Sequence, residues 1–276
     1  MSDLPFVGLI GGGFQHAPST TLYRPIKNFV WRKDTICPQT FFIDNAIIEG
    51  CGVGYIDKFA WLVESRDIIG GAVDFVKNNV ELVSKSYKYL FTHQKEIYDL
   101  ADNFIFTPSH CTWIDSYEGF PDYPKSKLVS LISSNKGWTE GHKRRLKWVE
   151  KFKDKVDLYG RGFNEIAKKE DGLADYMFSI VIENDSYPTY FSEKLLDAFI
   201  TDTIPVYYGA PDIGDHFEES GIIKLTEDFD IDSLTPNLYN EMVATGAVAV
   251  NQLNTWLEYS GTIEDILWQN FLKYDQ

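Results

Sequence analysis

The chain has 276 residues, enough for two domains of ordinary size, and 44% of them are apolar, which fits a folded globular protein and not a disordered one. Its formal net charge of −15 argues against nucleic acid or an anionic membrane surface as the main partner, so any phosphate ligand has to be met by cations gathered locally. No run approaches the ~18 apolar residues of a membrane span, the first residues lack the basic-then-apolar order of a secretion signal, and Cys37, Cys51 and Cys111 are too few and too scattered for a disulfide framework or a metal knuckle. The expectation is a cytoplasmic protein with reduced thiols.

In chain order, residues 6–10 read as a strand that runs into Gly11, Gly12 and Gly13. Without a G-x-G-x-x-G helix start, these glycines suggest a turn more than a dinucleotide site. Residues 18–52 alternate polar and aromatic and show no clear period. Residues 58–63 (KFAWLV) read as a second buried strand, and Glu64 follows at its carboxyl end, where open α/β domains place catalytic groups. A helical stretch over about 71–87 comes next, then strands around 89–94 and 103–108. The second of these leads into Ser109, His110, Cys111, Thr112 and Trp113. His110 offers a ligand hydrogen bond or a base, Cys111 has no acid partner that would make it a nucleophile, and a plain turn accounts for both. The proline-rich, aperiodic segment 117–124 marks a boundary between domains 1–122 and 123–276.

The rhythm then restarts. Residues 127–132 form a strand, 133–138 a loop, and about 140–152 a helix carrying Lys143, Arg144, Arg145 and Lys147. Those cations are either a solvated face or an anion site, and arginine's fork suits phosphate oxygens. After a strand and turn at 156–162 comes the chain's most informative stretch. Residues 178–182 are nearly all apolar, 183–190 are a polar loop, and a helix begins at a Ser192 cap with Leu195, Leu196, Phe199 and Ile200 on one face. Residues 203–208 return as a strand closed by Gly209, completing a βαβ unit. The helix start carries ~0.5 of a positive charge and unpaired N–H groups. Lys194 adds a full charge, so a diphosphate fits there, with Glu193 placed to accept from sugar hydroxyls. A Glu-Lys pair that simply solvates a helix start fits the same residues equally well. Further on, Asp228 and Asp230 match an Asp-x-Asp metal motif but lie in the acidic run 227–232, and no metal site is expected. Residues 221–225 continue as a strand, and the last ~30 residues read as amphipathic helices.

Glu183-Asn184, Tyr190, Ser192-Glu193-Lys194, Asp197-Ala198 and the closing IPVYYG of 204–209 resemble the donor-binding signature of glycosyltransferase family 10, the α-1,3/1,4-fucosyltransferases. Ser192 stands where threonine is commoner, and residues 1–57 show little likeness. The resemblance implies an α/β fold of GT-B type, two Rossmann-like domains facing across a cleft. The first would be the acceptor side and the second the donor side, with terminal helices packing back on the first. It implies an inverting transfer of fucose from GDP-fucose to a glycan hydroxyl, as in glycan biosynthesis, with no cofactor or metal. By the same likeness Arg145 contacts the diphosphate, Arg144 being its immediate alternative, and Glu183, Asn184, Tyr190, Ser192, Glu193 and Lys194 form the donor site. Glu64 matches the family's general base, required because an attacking hydroxyl must lose its proton. His110 and Trp113 would line the acceptor side. A different nucleotide-sugar donor, or a protein that binds sugar nucleotide or glycan without turnover, stays open.

Overall fold

The computed structural model describes residues 4–12, 14, 17–21, 24–54, 56–114 and 123–272. The chain divides into two compact units, Met1–Cys111 with Gly261–Gln276, and Thr112–Ser260. The division between Cys111 and Thr112 precedes the proline-rich boundary read from the sequence, of which residues 117–122 lie outside the described residues, as does Gly13.

The first unit runs β1 (Phe6–Gly11), β2 (Val30–Lys33), β3 (Gln39–Ile43), α1 (Ala46–Gly50), β4 (Asp57–Leu62), α2 (Arg66–Asn78), α3 (Val80–Ser86), β5 (Tyr89–Thr92), α4 (Lys95–Tyr98) and β6 (Phe104–Phe106). Its sheet has the order β2-β1-β3-β4-β5-β6, with every pairing parallel. Apolar clusters cover both faces. From the β4 region Phe59, Trp61 and Val63 enter one cluster, while Ala60 and Leu62 enter the other. Burial on both faces is why the segment reads as an unbroken apolar run. The unpatterned 18–52 stretch holds β2, β3 and α1. β2 is an edge strand whose burial alternates, with Arg32 over the Phe6 ring, and Thr40 in β3 satisfies its hydroxyl on Cys37 O at 2.8 Å. The single helix expected over 71–87 is two, broken at Asn79 (φ −134°), whose side-chain amide donates to Phe75 O at 2.8 Å.

The chain leaves β1 to one side for β2 and comes back on the other side for β3, so strand order reverses there. At that point the backbone turns through Gly11 (φ 79°), Gly12 (φ 96°) and Asp44 (φ 54°). A Cβ on Gly11 would lie 2.8 Å from Ile43 O, so the close approach of the two strand ends requires glycine. Asp44 is buried. Its N–H donates to Trp61 O at 3.0 Å, and its Oδ1 accepts from the N–H groups of Val63 (2.8 Å) and Glu64 (3.4 Å). It therefore ties the end of β3 to the residues that follow β4. Burial pushes its carboxyl up to about 7, outweighing the backbone donors that favour the charged form, and the neighbouring Glu64 pushes the same way.

The second unit runs β7 (Lys127–Ile132), α5 (Glu140–Phe152), β8 (Asp157–Tyr159), β9 (Tyr176–Ile182), α6 (Glu193–Ile200), β10 (Ile204–Tyr208), β11 (Ile223–Lys224), α7 (Pro236–Ala244) and α8 (Ala247–Tyr259). Its sheet, again parallel throughout, has the order β11-β10-β9-β7-β8. Phe178, Ile180 and Ile182 of β9 pack with Trp148 and Val149 of α5, and Val181 packs on the other face with Leu195, Leu196 and Phe199 of α6. Strand order reverses between β7 and β9, where open α/β sheets hold ligands.

After α8 the chain rejoins the first unit through α9 (Ile263–Leu267). Glu264 accepts from Thr20 N at 2.7 Å, Asp265 accepts from Lys27 N (3.0 Å) and Asn28 N (3.2 Å), and Trp268 stacks on Phe29 at 5.4 Å. The chain end thus completes the first unit's aromatic core.

Asp44 makes the first unit pH-sensitive. Its carboxyl titrates near 7 when folded and near 3.9 when unfolded. The folded state therefore holds the extra proton between those values. The stability this adds is full below about pH 4 and is lost as pH rises through about 7, by up to roughly 4 kcal/mol. Asp44→Asn keeps an acceptor for both N–H groups and cannot ionise. Its thermal unfolding should depend less steeply on pH between 4 and 8, and it should melt higher than the parent at pH 8. Parallel melting profiles for the two proteins would refute this account.

Candidate active site

Arg145 is placed by helical arithmetic. α5 buries His142, Arg145, Trp148, Val149 and Phe152, a face that repeats every three to four residues and packs on the sheet. Arg145 lies on that face near the carboxyl ends of the strands, whereas Arg144 points away and stands over the Tyr208 ring at 5.3 Å. The Arg145 guanidinium donates from Nη1 to Asn184 Oδ1 at 2.9 Å and from Nη2 to Ser134 Oγ at 3.1 Å. Ser134 follows β7 and Asn184 follows β9, so one side chain spans the reversal of strand order. Its Nε has no partner among the described residues. Burial pulls the guanidinium below its usual range, while Glu183 and Glu193 hold it up. It remains a cation with donors to spare.

Two glycines let these loops close. A Cβ on Gly141 would sit 1.6 Å from Asn184 O, and one on Gly209 would sit 2.7 Å from Glu183 Cγ. The start of α5 thus lies directly against the Asn184 backbone.

The start of α6 is organised by Glu183. This carboxylate is fully buried and accepts from Ser192 N at 2.8 Å and from Ser192 Oγ at 2.6 Å. Ser192 is the N-cap, accepting from Lys194 N. Lys194 Nζ donates to Ser192 Oγ at 2.8 Å and stands 3.4 Å from both Glu183 Oε2 and Glu193 Oε1. Burial works against its ammonium, but Glu193 and Glu183 outweigh it, and its pKa lies above the usual lysine value. The sequence placed a full charge at Lys194, left open a Glu-Lys pair at the helix start, and by likeness counted Glu183 in the donor site. In the structure Lys194 is paired with Glu183 and Glu193, and both Glu183 oxygens accept hydrogen bonds from the helix start. Tyr190, also buried, stacks on Tyr187 at 4.7 Å.

Lys169 and Asp197 complete the cluster. Lys169 Nζ reaches Glu193 Oε1 at 3.3 Å and Asp197 Oδ2 at 2.7 Å, and lies 4.3 Å over the Trp113 ring. Asp197, fully buried, also accepts from Thr112 Oγ1 (2.6 Å), Trp113 N (2.7 Å) and Ile114 N (3.3 Å). Trp113 therefore belongs to the second unit, packed toward α6. Asp197 stood inside the recognised motif, but Lys169 lies in a short turn far upstream and left no signal.

In the first unit Glu64 follows β4, held by its backbone N–H on Asp44. His110 follows β6, with Nδ1 3.2 Å from Ser109 Oγ. β5 lies between β4 and β6, so the two candidate bases leave from strands that do not adjoin. The buried His93 beside His110 is pushed down to about 3 by burial and by the nearby His110 and Arg66, and stays neutral. Asp230, half of the discounted metal motif, accepts from Asp232 N at 3.0 Å as a local cap.

Solved structures resemble the whole chain. An α1,3-fucosyltransferase superposes with a TM-score of 0.53 at 14% identity, covering 100% of this chain and 92% of that one. A structure described as α1,3-fucosyltransferase with GDP-fucose gives 0.51 at 11%, covering 100% and 94%. The fold is therefore the α/β fold of GT-B glycosyltransferases. Residues 123–244 match the model "Glycosyltransferase family 10 (fucosyltransferase) C-term", so that segment is a domain of glycosyltransferase family 10. Among curated proteins, the α-(1,3)-fucosyltransferase FucT of Helicobacter pylori is 31% identical over 64 residues, covering 23% of this chain and 13% of that protein. The α-(1,3)-fucosyltransferase B of Drosophila melanogaster is 27% identical over 143 residues, covering 51% and 30%. The matched segments thus span less than a third of those relatives' length.

The fit of α5 against the Asn184 loop is testable without substrate. Gly141→Ala adds a methyl with no room beside a backbone carbonyl, so the helix start must shift. Overpacking of this kind costs ~1–3 kcal/mol. A lowered melting temperature is expected, whereas Gly54→Ala, with nothing within 4 Å, should leave it unmoved by comparison. Equal melting of Gly141→Ala and the parent would show that the contact is loose.

Proposed function

We propose that the protein transfers fucose from GDP-fucose to a hydroxyl of a glycan acceptor with inversion at the anomeric carbon. The observation that carries this reading is the Arg145 bridge: a buried cation with donors to spare, at the strand-order reversal of the unit that matches the family's C-terminal domain. The start of α6 and Lys194 stand beside it in the same network.

In this reading Arg145 and the N–H groups at the start of α6 hold the diphosphate, and Lys194 exchanges one of its carboxylate partners for a phosphate oxygen. Glu193 accepts from the sugar's hydroxyls, kept in place by Lys169. As the acceptor oxygen bonds to the anomeric carbon, its proton passes to Glu64. The bond from that carbon to the diphosphate breaks, and GDP leaves with the electron pair, its charge met by Arg145 and Lys194. Asp44 sets where the Glu64 backbone lies. Because two side-chain cations and a helix start supply the charge, turnover should continue in EDTA.

Three measurements test this. GDP release on adding glycan acceptors to protein and GDP-fucose would establish transfer; GDP-fucose binding with no release would leave a binding protein, and tighter binding of another nucleotide-sugar would change the donor. Arg145→Lys keeps charge but loses the fork, and should weaken GDP binding by ~1.5–3 kcal/mol, the scale of a charge-assisted hydrogen bond. Unchanged calorimetry would displace the diphosphate from this site. Glu64→Gln keeps shape and should lower kcat by ~10²–10⁴ with donor affinity near that of the parent. Near-normal kcat would turn attention to His110.

A further inference from the structure

On the side of α5 away from Arg145 lies an open basin of about 300 Å³, lined by Glu140, Lys143, Arg144, Lys147, Trp148 and Lys151 of the helix, with Tyr208 and Glu227 opposite. The six helical residues recur every three to four positions, so they form one stripe. Four cations face two carboxylates, in a chain whose formal charge is −15. Such an excess is not a consequence of composition.

The cations are also held in place. Arg144 rests over the Tyr208 ring at 5.3 Å, and Lys151 lies 4.9 Å from the Trp148 ring while donating to Glu227 O at 2.6 Å. Lys143 pairs with Glu140 at 2.6 Å. Arg144 and Lys147, one helical turn apart, meet no carboxylate among the described residues. A concave surface with a half-buried tyrosine ring at its edge and two cations that meet no carboxylate has the elements of a site for an anionic sugar: an apolar edge for the sugar ring and charge for its acidic group. Inorganic anions would use only the charge. The volume is at the low end for small-ligand clefts, which suits one sugar unit and not a nucleotide.

We propose that this basin binds a saccharide carrying a phosphate or carboxylate group, through Arg144, Lys147 and the Tyr208 ring. The site is separate from the Arg145 cluster, which lies on the buried face of the same helix, and it stands whether or not the donor is GDP-fucose. The two are nevertheless mechanically joined. Tyr208 O accepts from Glu183 N at 2.8 Å, and Gly209 packs on Glu183. Occupancy of the basin would therefore press on the strand end that carries the α6 cap.

The test is calorimetric titration of the full chain with glucose 6-phosphate, glucuronate, glucose and inorganic phosphate, in the presence of saturating GDP so that the diphosphate site is filled. Glucose 6-phosphate or glucuronate should bind at least about tenfold more tightly than glucose, and more tightly than inorganic phosphate, with affinity falling as salt rises. Whichever of the two binds identifies the acidic group. Arg144→Gln/Lys147→Gln should abolish the preference, while circular dichroism and melting temperature show the fold retained. Three results would overturn the proposal: no binding by either acidic sugar, binding equal to that of inorganic phosphate, or binding unaffected by the double substitution.

Discussion

The second unit depends on keeping one cation charged out of water. Moving a guanidinium into a protein interior is costly unless hydrogen bonds and opposite charge offset it. Arg145 gets both, from Asn184 and Ser134 directly and from Glu183 and Glu193 through the field. Each partner is fixed by something else. Asn184 is fixed by the approach of Gly141, Ser134 by the end of β7, and Glu183 by the Ser192 cap. The site is thus held by the framework and does not rest on surface rotamers.

The same economy runs through the rest of the cluster. Asp197, Lys169, Glu193, Lys194 and Glu183 form a chain of alternating sign, each link between 2.7 and 3.4 Å. A cluster so nearly neutral offers little raw charge to an anion. In the proposed reading a diphosphate enters by exchange, with Lys194 leaving a carboxylate for a phosphate oxygen while Lys169 holds Glu193. Affinity would then reflect the difference between two ion pairs.

Much of this architecture is legible in the residues. The apolar strand, polar loop, capped helix and returning strand of the βαβ unit announce themselves because burial on both sheet faces leaves an unbroken apolar run, and a helix buried on one face leaves a 3.6-residue period. The α5 span of 140–152 is visible for the same reason. What the pattern does not carry is direction within the site. Arg144 and Arg145 are indistinguishable as letters, and only burial shows which one faces Asn184. Glu183 enters the donor site only through the family likeness, and nothing in the local pattern shows that its carboxylate turns inward to the cap. Lys169 and Asp44 are silent because their partners lie some twenty or more positions away, beyond the reach of any local period. β2 and β3 are missed because an edge strand alternates and a buried threonine can bond to its own neighbourhood.

The two units use related devices with opposite tolerance for protons. Each has a reversal of strand order, and near each a buried ionisable side chain ties down residues that follow neighbouring strands, Asp44 through backbone N–H groups and Arg145 through side chains. Arg145 cannot shed its charge in any accessible range. Asp44, pushed up to about 7 by burial, changes charge close to neutrality. Hydrogen bonds from Val63 and Glu64 favour the anion and burial favours the acid, so the grip on the residues after β4 tightens as pH rises while the unit as a whole loses stability. In the second unit burial lowers Lys125 to about 8, and it bridges Ala174 O and Thr203 Oγ1 at the opposite strand ends from Arg145. A pH dependence that enters through the backbone after β4, and not through Arg145, follows from that difference.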